Sequence, residues 1–197
     1  MTNKNQSRMS WRDRLTFFSE FIKHPLQIGS VIPSSRFMEQ RLLKTADIAS
    51  ARTIVELGTG TGSTTRAILD AMSPEARLLC IEINPRFCRL IEAIDDDRLI
   101  VHLGDARDLR ELLATHDLGA ADVVISGIPF STMSPSVGAD ILATIATGLT
   151  PNGRFVAYQV SNRVASLCQP ILGKAGVQLE LLNIPPMWVF RWEKSDS

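Results

Sequence analysis

The sequence predicts an α/β protein with a mostly parallel sheet covered by helices on both faces. Three observations carry this. From residue 52 onward, five short apolar runs are each followed by a stretch with helical spacing. The first run ends in a turn holding three glycines, Gly58, Gly60 and Gly62. The last two runs flank Pro185-Pro186 with no helix between them, which predicts an antiparallel pair at a sheet edge.

The elements follow in order. Between Ser10 and His24, Trp11, Leu15, Phe18, Phe21 and Ile22 fall on one helical stripe that Pro25 ends. A loop with Gly29 and Pro33 leads to a second helical stretch, Phe37 to Lys44. "TIVELG" reads as a buried strand and "STTRAILDAM" as a helix that Ser63 or Thr64 can cap. "ARLLCIEIN" and "PRFCRLIEAI" form the next strand and helix, with Pro85 suited to a first helical turn. "LIVHLGDA" precedes the helix "RDLRELLATH", and "ADVVISGIP" precedes "SVGADILATIATGL". "GRFVAYQVS" is the fifth strand, before a helix over 163–176 that Pro170 can bend. "VQLELLNIPPMWVFRWE" closes the chain as two strands.

With 197 residues, 45% of them hydrophobic and 21% charged, the chain suits one globular domain with a buried core. No apolar run approaches the roughly 20 residues that span a bilayer, and the polar, basic start lacks the apolar region of a secretory signal. Three scattered cysteines fit neither a disulfide framework nor a zinc site, and no ligand cluster points to a metal. A cytoplasmic setting follows. Charge is uneven: residues 1–44 hold eight Lys/Arg against three Asp/Glu, the remainder thirteen against eighteen. Such a basic, aromatic arm suits an anionic partner such as lipid head groups or RNA, or else docks on the acidic body.

In sheets of this kind ligands sit outside the carboxyl ends of the strands. The glycine turn lies there, but Ser63 stands where a dinucleotide fingerprint needs glycine or alanine. Glu82, twenty residues past Gly62, ends the second strand in position to accept from ribose hydroxyls. Asp105, in "GDA", ends the third, where it can meet an adenine amine or merely cap the next helix.

"VELGTGTG", "IEINP", "GDARDL", "VVISGIP" and "LTPNGRFVAY", in this order, resemble the class I S-adenosylmethionine-dependent methyltransferases over roughly residues 30–193. The resemblance implies a seven-stranded Rossmann-like sheet with an antiparallel C-terminal hairpin. It implies S-adenosyl-L-methionine held by Glu56, Gly58, Thr59, Gly60, Gly62, Glu82, Ile83, Gly104, Asp105, Ala106 and Ser126. Ser126, Gly127, Ile128 and Pro129 would flank the methyl group, with Tyr158 a further candidate for proton loss.

For the acceptor, "FFSEFIKHPLQIGSVIPSS", "SGIP" and "NIPPMWVFRW" resemble the small soluble bacterial phospholipid N-methyltransferases. That resemblance implies methylation of phosphatidylethanolamine towards phosphatidylcholine. It divides the chain into a helical lid and membrane-contact segment (1–45) and a cofactor-binding core (46–197), peripheral on the inner membrane face. Phe18 and Trp188 are candidates to face an ammonium, Arg36, Arg163 and Arg191 to meet a lipid phosphate, and Ser30 lies in the matching segment. Enzymes that methylate adenine in nucleic acids commonly carry Asn or Asp, Pro-Pro and a stacking aromatic, whereas Ser126 and Gly127 stand here before Pro129 and Phe130. An RNA adenine, a small amine, and a non-catalytic cofactor-binding role remain the alternatives. Oligomeric state is left open.

Overall fold

The computed structural model describes residues 35–183 and 185–195. The Ser10–His24 stretch, with Phe18 and Ser30, lies outside them.

Helix α1 (Arg36–Ala46) is capped by Ser35, whose hydroxyl accepts from the Met38 N–H, and buries Met38, Leu42 and Ala46. The sheet then alternates with helices: β1 (Thr53–Leu57), α2 (Ser63–Ala71), β2 (Arg77–Glu82), α3 (Pro85–Glu92), β3 (Leu99–Leu103), α4 (Leu109–Thr115), β4 (Ala121–Ser126), α5 (Pro135–Gly148), β5 (Leu149–Gln159), α6 (Arg163–Leu172), β6 (Gly176–Glu180) and β7 (Met187–Glu193). Strand order is β3-β2-β1-β4-β5-β7-β6, parallel except where β7 runs antiparallel to β5 and β6. The expected edge hairpin is therefore present, with β7 inserted between β5 and β6.

Strand β1 is buried along its whole length because both sheet faces are covered. On one face Val55, Leu79, Val124 and Phe155 pack with α4, α5 and α6, and Phe155 stacks on Trp192. On the other, Ile54, Leu78, Val123 and Val156 pack with α1, α2 and α3. The period of two along each strand thus sends alternate residues into separate cores.

Local chemistry explains most boundaries. Asn84 caps α3 with Pro85 in its first turn, and Ser134 caps α5 with Pro135 likewise. Helix α2 departs from the expectation. Its cap is Gly62, in the left-handed conformation and without a side-chain cap bond, so Ser63 and Thr64 lie inside the helix. The Thr64 side chain is buried within the fold rather than turned back to cap the helix. Strand β5 begins at Leu149, earlier than expected, because the register with β4 jumps from Ala121/Leu149 to Val123/Arg154. The "TPNG" segment is absorbed as a bulge with Asn152 at φ 59°. Pro170 lies inside α6, which ends two residues later.

Asp122 fastens the start of β1, one Oδ2 accepting from the N–H groups of Arg52 (2.8 Å) and Thr53 (3.0 Å). Asp122→Ala should strip both donors of their partner and cost about 1.5 kcal/mol, a Tm drop of roughly 3–6 °C by calorimetry. An unchanged Tm would show that water replaces the carboxylate at no cost.

Candidate active site

The carboxyl ends of β1, β2, β4 and β5 converge on the glycine turn. Gly58, Gly60 and Gly62 all have positive φ (77°, 54° and 84°), so the turn suits residues without a Cβ. Gly60 matters most for a ligand: a Cβ there would meet nothing within 4 Å, so space opens directly off the backbone.

Glu82 braces this turn from β2. Its Oε2 accepts from the Gly60 N–H (3.1 Å) and the Thr59 hydroxyl (3.3 Å), and its Oε1 from the Asn84 N–H (2.8 Å). The carboxylate is buried, and burial raises its pKa against the lowering effect of these donors. Ile83 is partly buried beside it.

Glu56 lies on β1, directly opposite Cys80 of β2 in the sheet register. It is 0% exposed. Oε2 accepts from the Thr65 hydroxyl (2.7 Å) and the Cys80 thiol (3.5 Å), while Oε1 has no partner. Desolvation pushes its pKa up to about 8, with the nearby Glu82 adding to the rise. Burial and Glu56 together hold the Cys80 thiol well above its usual range.

Tyr158 comes from β5 on the same face. Its pKa is raised by burial and then by the charges of Glu56, Glu82 and Glu39, with the Thr64 hydroxyl acting against them. Three carboxyls from α1, β1 and β2 therefore act on this one phenol. The phenolic oxygen lies where a Cβ on Gly127 would stand, 2.5 Å from it, and Gly58 O is 2.9 Å away. Glycine at 127 is what lets β1, β4 and Tyr158 meet.

Ser126, buried at the end of β4, accepts from the Ile128 N–H (3.2 Å), and the Ile128 carbonyl accepts from Gln159 Nε2 (2.7 Å). The Pro129 carbonyl takes the Thr132 N–H and hydroxyl. The Ser126–Pro129 turn is thus held in shape from both sides. Phe130 is 0% exposed in the apolar core.

The third strand end differs in character. Asp105 is buried, caps the short 3₁₀ turn Ala106–Asp108, and is clamped by Arg107 through its backbone N–H and guanidinium at 2.8–3.0 Å. Gly104 is explained locally, since a Cβ there would stand 2.6 Å from the His102 ring.

The candidate acceptor residues do not form one cluster. Arg36 opens α1, and Arg163 opens α6 just past β5; both are exposed. Trp188 pairs with Gln159 and Leu179 in the sheet, on the face of α4–α6. Arg191 faces the opposite side, donating to Thr45 O (3.2 Å) and Glu193 (2.8 Å). Sequence reasoning missed Thr65, Cys80 and Glu39 around Glu56 and Tyr158, because only the pairing register and the seat of α1 bring them there. Among the described residues, no three His, Cys, Asp or Glu side chains gather as metal ligands, and no helix is long and apolar enough to cross a membrane.

Comparison with known proteins defines the class. Residues 54–153 match the family model described as a methyltransferase domain. The chain is 32% identical over 146 residues to an ornithine lipid N-methyltransferase of Singulisphaera acidiphila, covering 73% of this chain and 76% of that protein. It is 39% identical over 84 residues to a ribosomal RNA small subunit methyltransferase A of Syntrophotalea carbinolica, but that match spans 42% of this chain and 30% of the relative. In fold it resembles the 1,6-didemethyltoxoflavin-N1-methyltransferase of Burkholderia thailandensis, with a TM-score of 0.66 at 14% identity, over 98% of this chain and 93% of that one. The sheet and its glycine turn are thus those of a Rossmann-like class I methyltransferase. The chain belongs to the methyltransferase domain family, and it is an S-adenosylmethionine-dependent enzyme.

Proposed function

We propose that the protein transfers methyl groups to the amine of a membrane lipid head group, with phosphatidylethanolamine as the expected acceptor. The observation that carries this reading is the likeness to the ornithine lipid N-methyltransferase across about three quarters of both chains. Phosphatidylethanolamine and an ornithine lipid share a primary amine on an acyl-bearing molecule. The match to the ribosomal RNA enzyme is partial, and Phe130, the residue a base-methylating site would use for stacking, is sealed in the core.

The cofactor residues are read as follows. The open face of Gly60 and the unpartnered Oε1 of Glu56 suit a ligand with a cationic amino-acid end. Gly58, Thr59, Gly62 and Ile83 shape the cleft, and Glu82 supports the turn while facing the ribose. Asp105 and Ala106 border the base, with the Asp105 carboxylate steadied by Arg107. Bound S-adenosylmethionine supplies an already activated methyl group on its sulfonium. The protein must therefore orient the amine, exclude water and accept it unprotonated. The Ser126–Pro129 turn provides carbonyls that can fix the amine hydrogens. Tyr158 shapes the floor, and its raised pKa keeps it a neutral hydrogen-bonding group rather than a base. Residues 1–45 form the lid and membrane-contact segment over the core of 46–197, and the enzyme works at the inner membrane face.

The test offers labelled S-adenosylmethionine with vesicles of phosphatidylethanolamine, vesicles containing ornithine lipid, and RNA in parallel. Label in the phosphatidylethanolamine products is expected. Label confined to ornithine lipid would correct the head group, and label in RNA alone would overturn the lipid reading.

A further inference from the structure

We infer that the groove between α1 and the β6 edge is a bilayer-docking surface, separate from the methyl-transfer cleft; the inference rests on the lipid-acceptor reading. The groove has a volume of about 690 Å³ and is flanked by Phe37, Arg41 and Lys44 of α1 and by Gln178, Leu182 and Arg191 from the hairpin. Two features set it apart.

The first is exposed apolar surface. Phe37 is 56% exposed, Leu181 67% and Leu182 61%, and Val177 is a further exposed apolar residue at the groove. Scattered single apolar residues are ordinary on a protein surface, but a contiguous set ringed by polar groups marks an interaction site. Phe37, Val177 and Leu182 line the groove itself, and Leu181 adjoins Leu182 in the turn after β6.

The second is charge. Arg41, Lys44 and Arg191 line the groove against one carboxylate, Glu180. Arg41 pairs with Glu180 at 2.6 Å and Arg191 with Glu193 at 2.8 Å. The Arg191 pair is exposed and exchanges readily for another anion, and Lys44 is exposed beside it, whereas the buried Glu180 carboxylate fixes the Arg41 guanidinium at the groove. Apolar side chains beside cations match the acyl layer and phosphate plane of a lipid surface.

Position supports the same occupant. Strand β6 runs parallel to β5, so the Leu181–Leu182 turn lies at the end of the sheet where the glycine turn also lies. The Ser35 N–H bonds to Asn183 in that connection (2.9 Å), so the chain preceding α1 joins the fold beside the turn. That preceding sequence, residues 1–34, carries five Lys/Arg against two Asp/Glu. Docking by this corner would bring the acceptor end of the sheet to the lipid surface.

The experiment uses the full chain and vesicles of phosphatidylethanolamine with phosphatidylglycerol. Flotation, S-adenosylhomocysteine affinity, and methyl transfer to vesicles or to water-soluble dihexanoyl phosphatidylethanolamine are compared for wild type, L181D/L182D and K44E. The double variant should lose at least about tenfold in flotation and in transfer to vesicles. It should keep cofactor affinity and transfer to the soluble lipid. K44E should lose roughly tenfold on anionic vesicles and show a weaker salt dependence. Undiminished flotation of the double variant would overturn the docking surface while transfer to soluble lipid upheld the acceptor. Flotation that needs Leu181 and Leu182, without transfer to either lipid, would uphold docking and sink the acceptor. A wild-type dimer that L181D/L182D dissolves, with no flotation by either, would give the face to a second copy and overturn the proposal.

Discussion

Glu56→Gln is expected to stabilise the ligand-free protein at neutral pH and at the same time to weaken cofactor binding. The carboxyl is fully buried, one oxygen lacks a partner, and its pKa stands at about 8 rather than the ordinary 4.5. Below pH 4.5 the group is protonated in both folded and unfolded chains and contributes nothing to the pH dependence. Between 4.5 and 8 the unfolded chain ionises while the folded one retains its proton, so stability falls as pH rises through this window and then levels. At pH 7 the cost is on the order of 3 kcal/mol. Glutamine keeps the shape, accepts from Thr65 and does not titrate. The variant should match wild type near pH 4 and melt roughly 6–12 °C higher at pH 7.

Cofactor binding should move the other way. A cationic amino-acid end would favour the ionised carboxylate and expel its proton, so wild-type affinity should rise up to tenfold per pH unit between 6 and 8. Glutamine should remove that slope and cost about ten- to a hundredfold at pH 8, the range for a hydrogen bond to a charged group. Calorimetric titration with S-adenosylhomocysteine measures both quantities. A variant with wild-type affinity at every pH would take Glu56 out of the binding site. A flat wild-type melting profile from pH 5 to 8 would show that the carboxyl is solvated.

The contrast between Glu56 and Asp105 shows what the sequence could reveal. Strand ends, the glycine turn and the closing hairpin were legible because each follows from a local pattern: apolar period, turn residues, or two runs with no helix between them. The approximate place of Glu56, Glu82 and Asp105 followed from the same logic. Their environments did not, because burial and partners come from the register of separate strands. Nothing within "VELG" says that Cys80 will lie opposite Glu56, or that Thr65 will turn inward to meet it. Capping failed at α2 for a related reason. Ser63 and Thr64 are good caps in isolation, but Gly62 already occupies the left-handed cap position and places both inside the helix. The acceptor candidates fared differently again. Trp188 and Arg191 lie three residues apart, an odd spacing that a strand places on opposite faces. One head group held by both would have to reach around the β7 strand.

Gly127→Ala should be the most damaging single-methyl addition near the site. The position is not backbone-strained in the left-handed sense; the obstacle is space, because the new Cβ would lie 2.5 Å from the Tyr158 hydroxyl and 2.9 Å from the Gly58 carbonyl. The carbonyl belongs to the glycine turn itself and cannot simply swing away. Overpacking of this kind costs about 2–3 kcal/mol. Any relief by moving β4 outward shifts the Ser126–Pro129 turn, which is proposed to face the acceptor, and a displacement near 1 Å can cost about a hundredfold in turnover. Tyr158→Phe removes the nearer obstacle. In the double variant about 1 kcal/mol should be recovered relative to the sum of the single changes, with the Gly58 clash still in place. Thermal melts and single-turnover rates of the four proteins form the cycle. Additive melts would show that the phenol is not what Gly127 makes room for. Full wild-type turnover in Gly127→Ala would show that methyl transfer does not depend on the position of this turn.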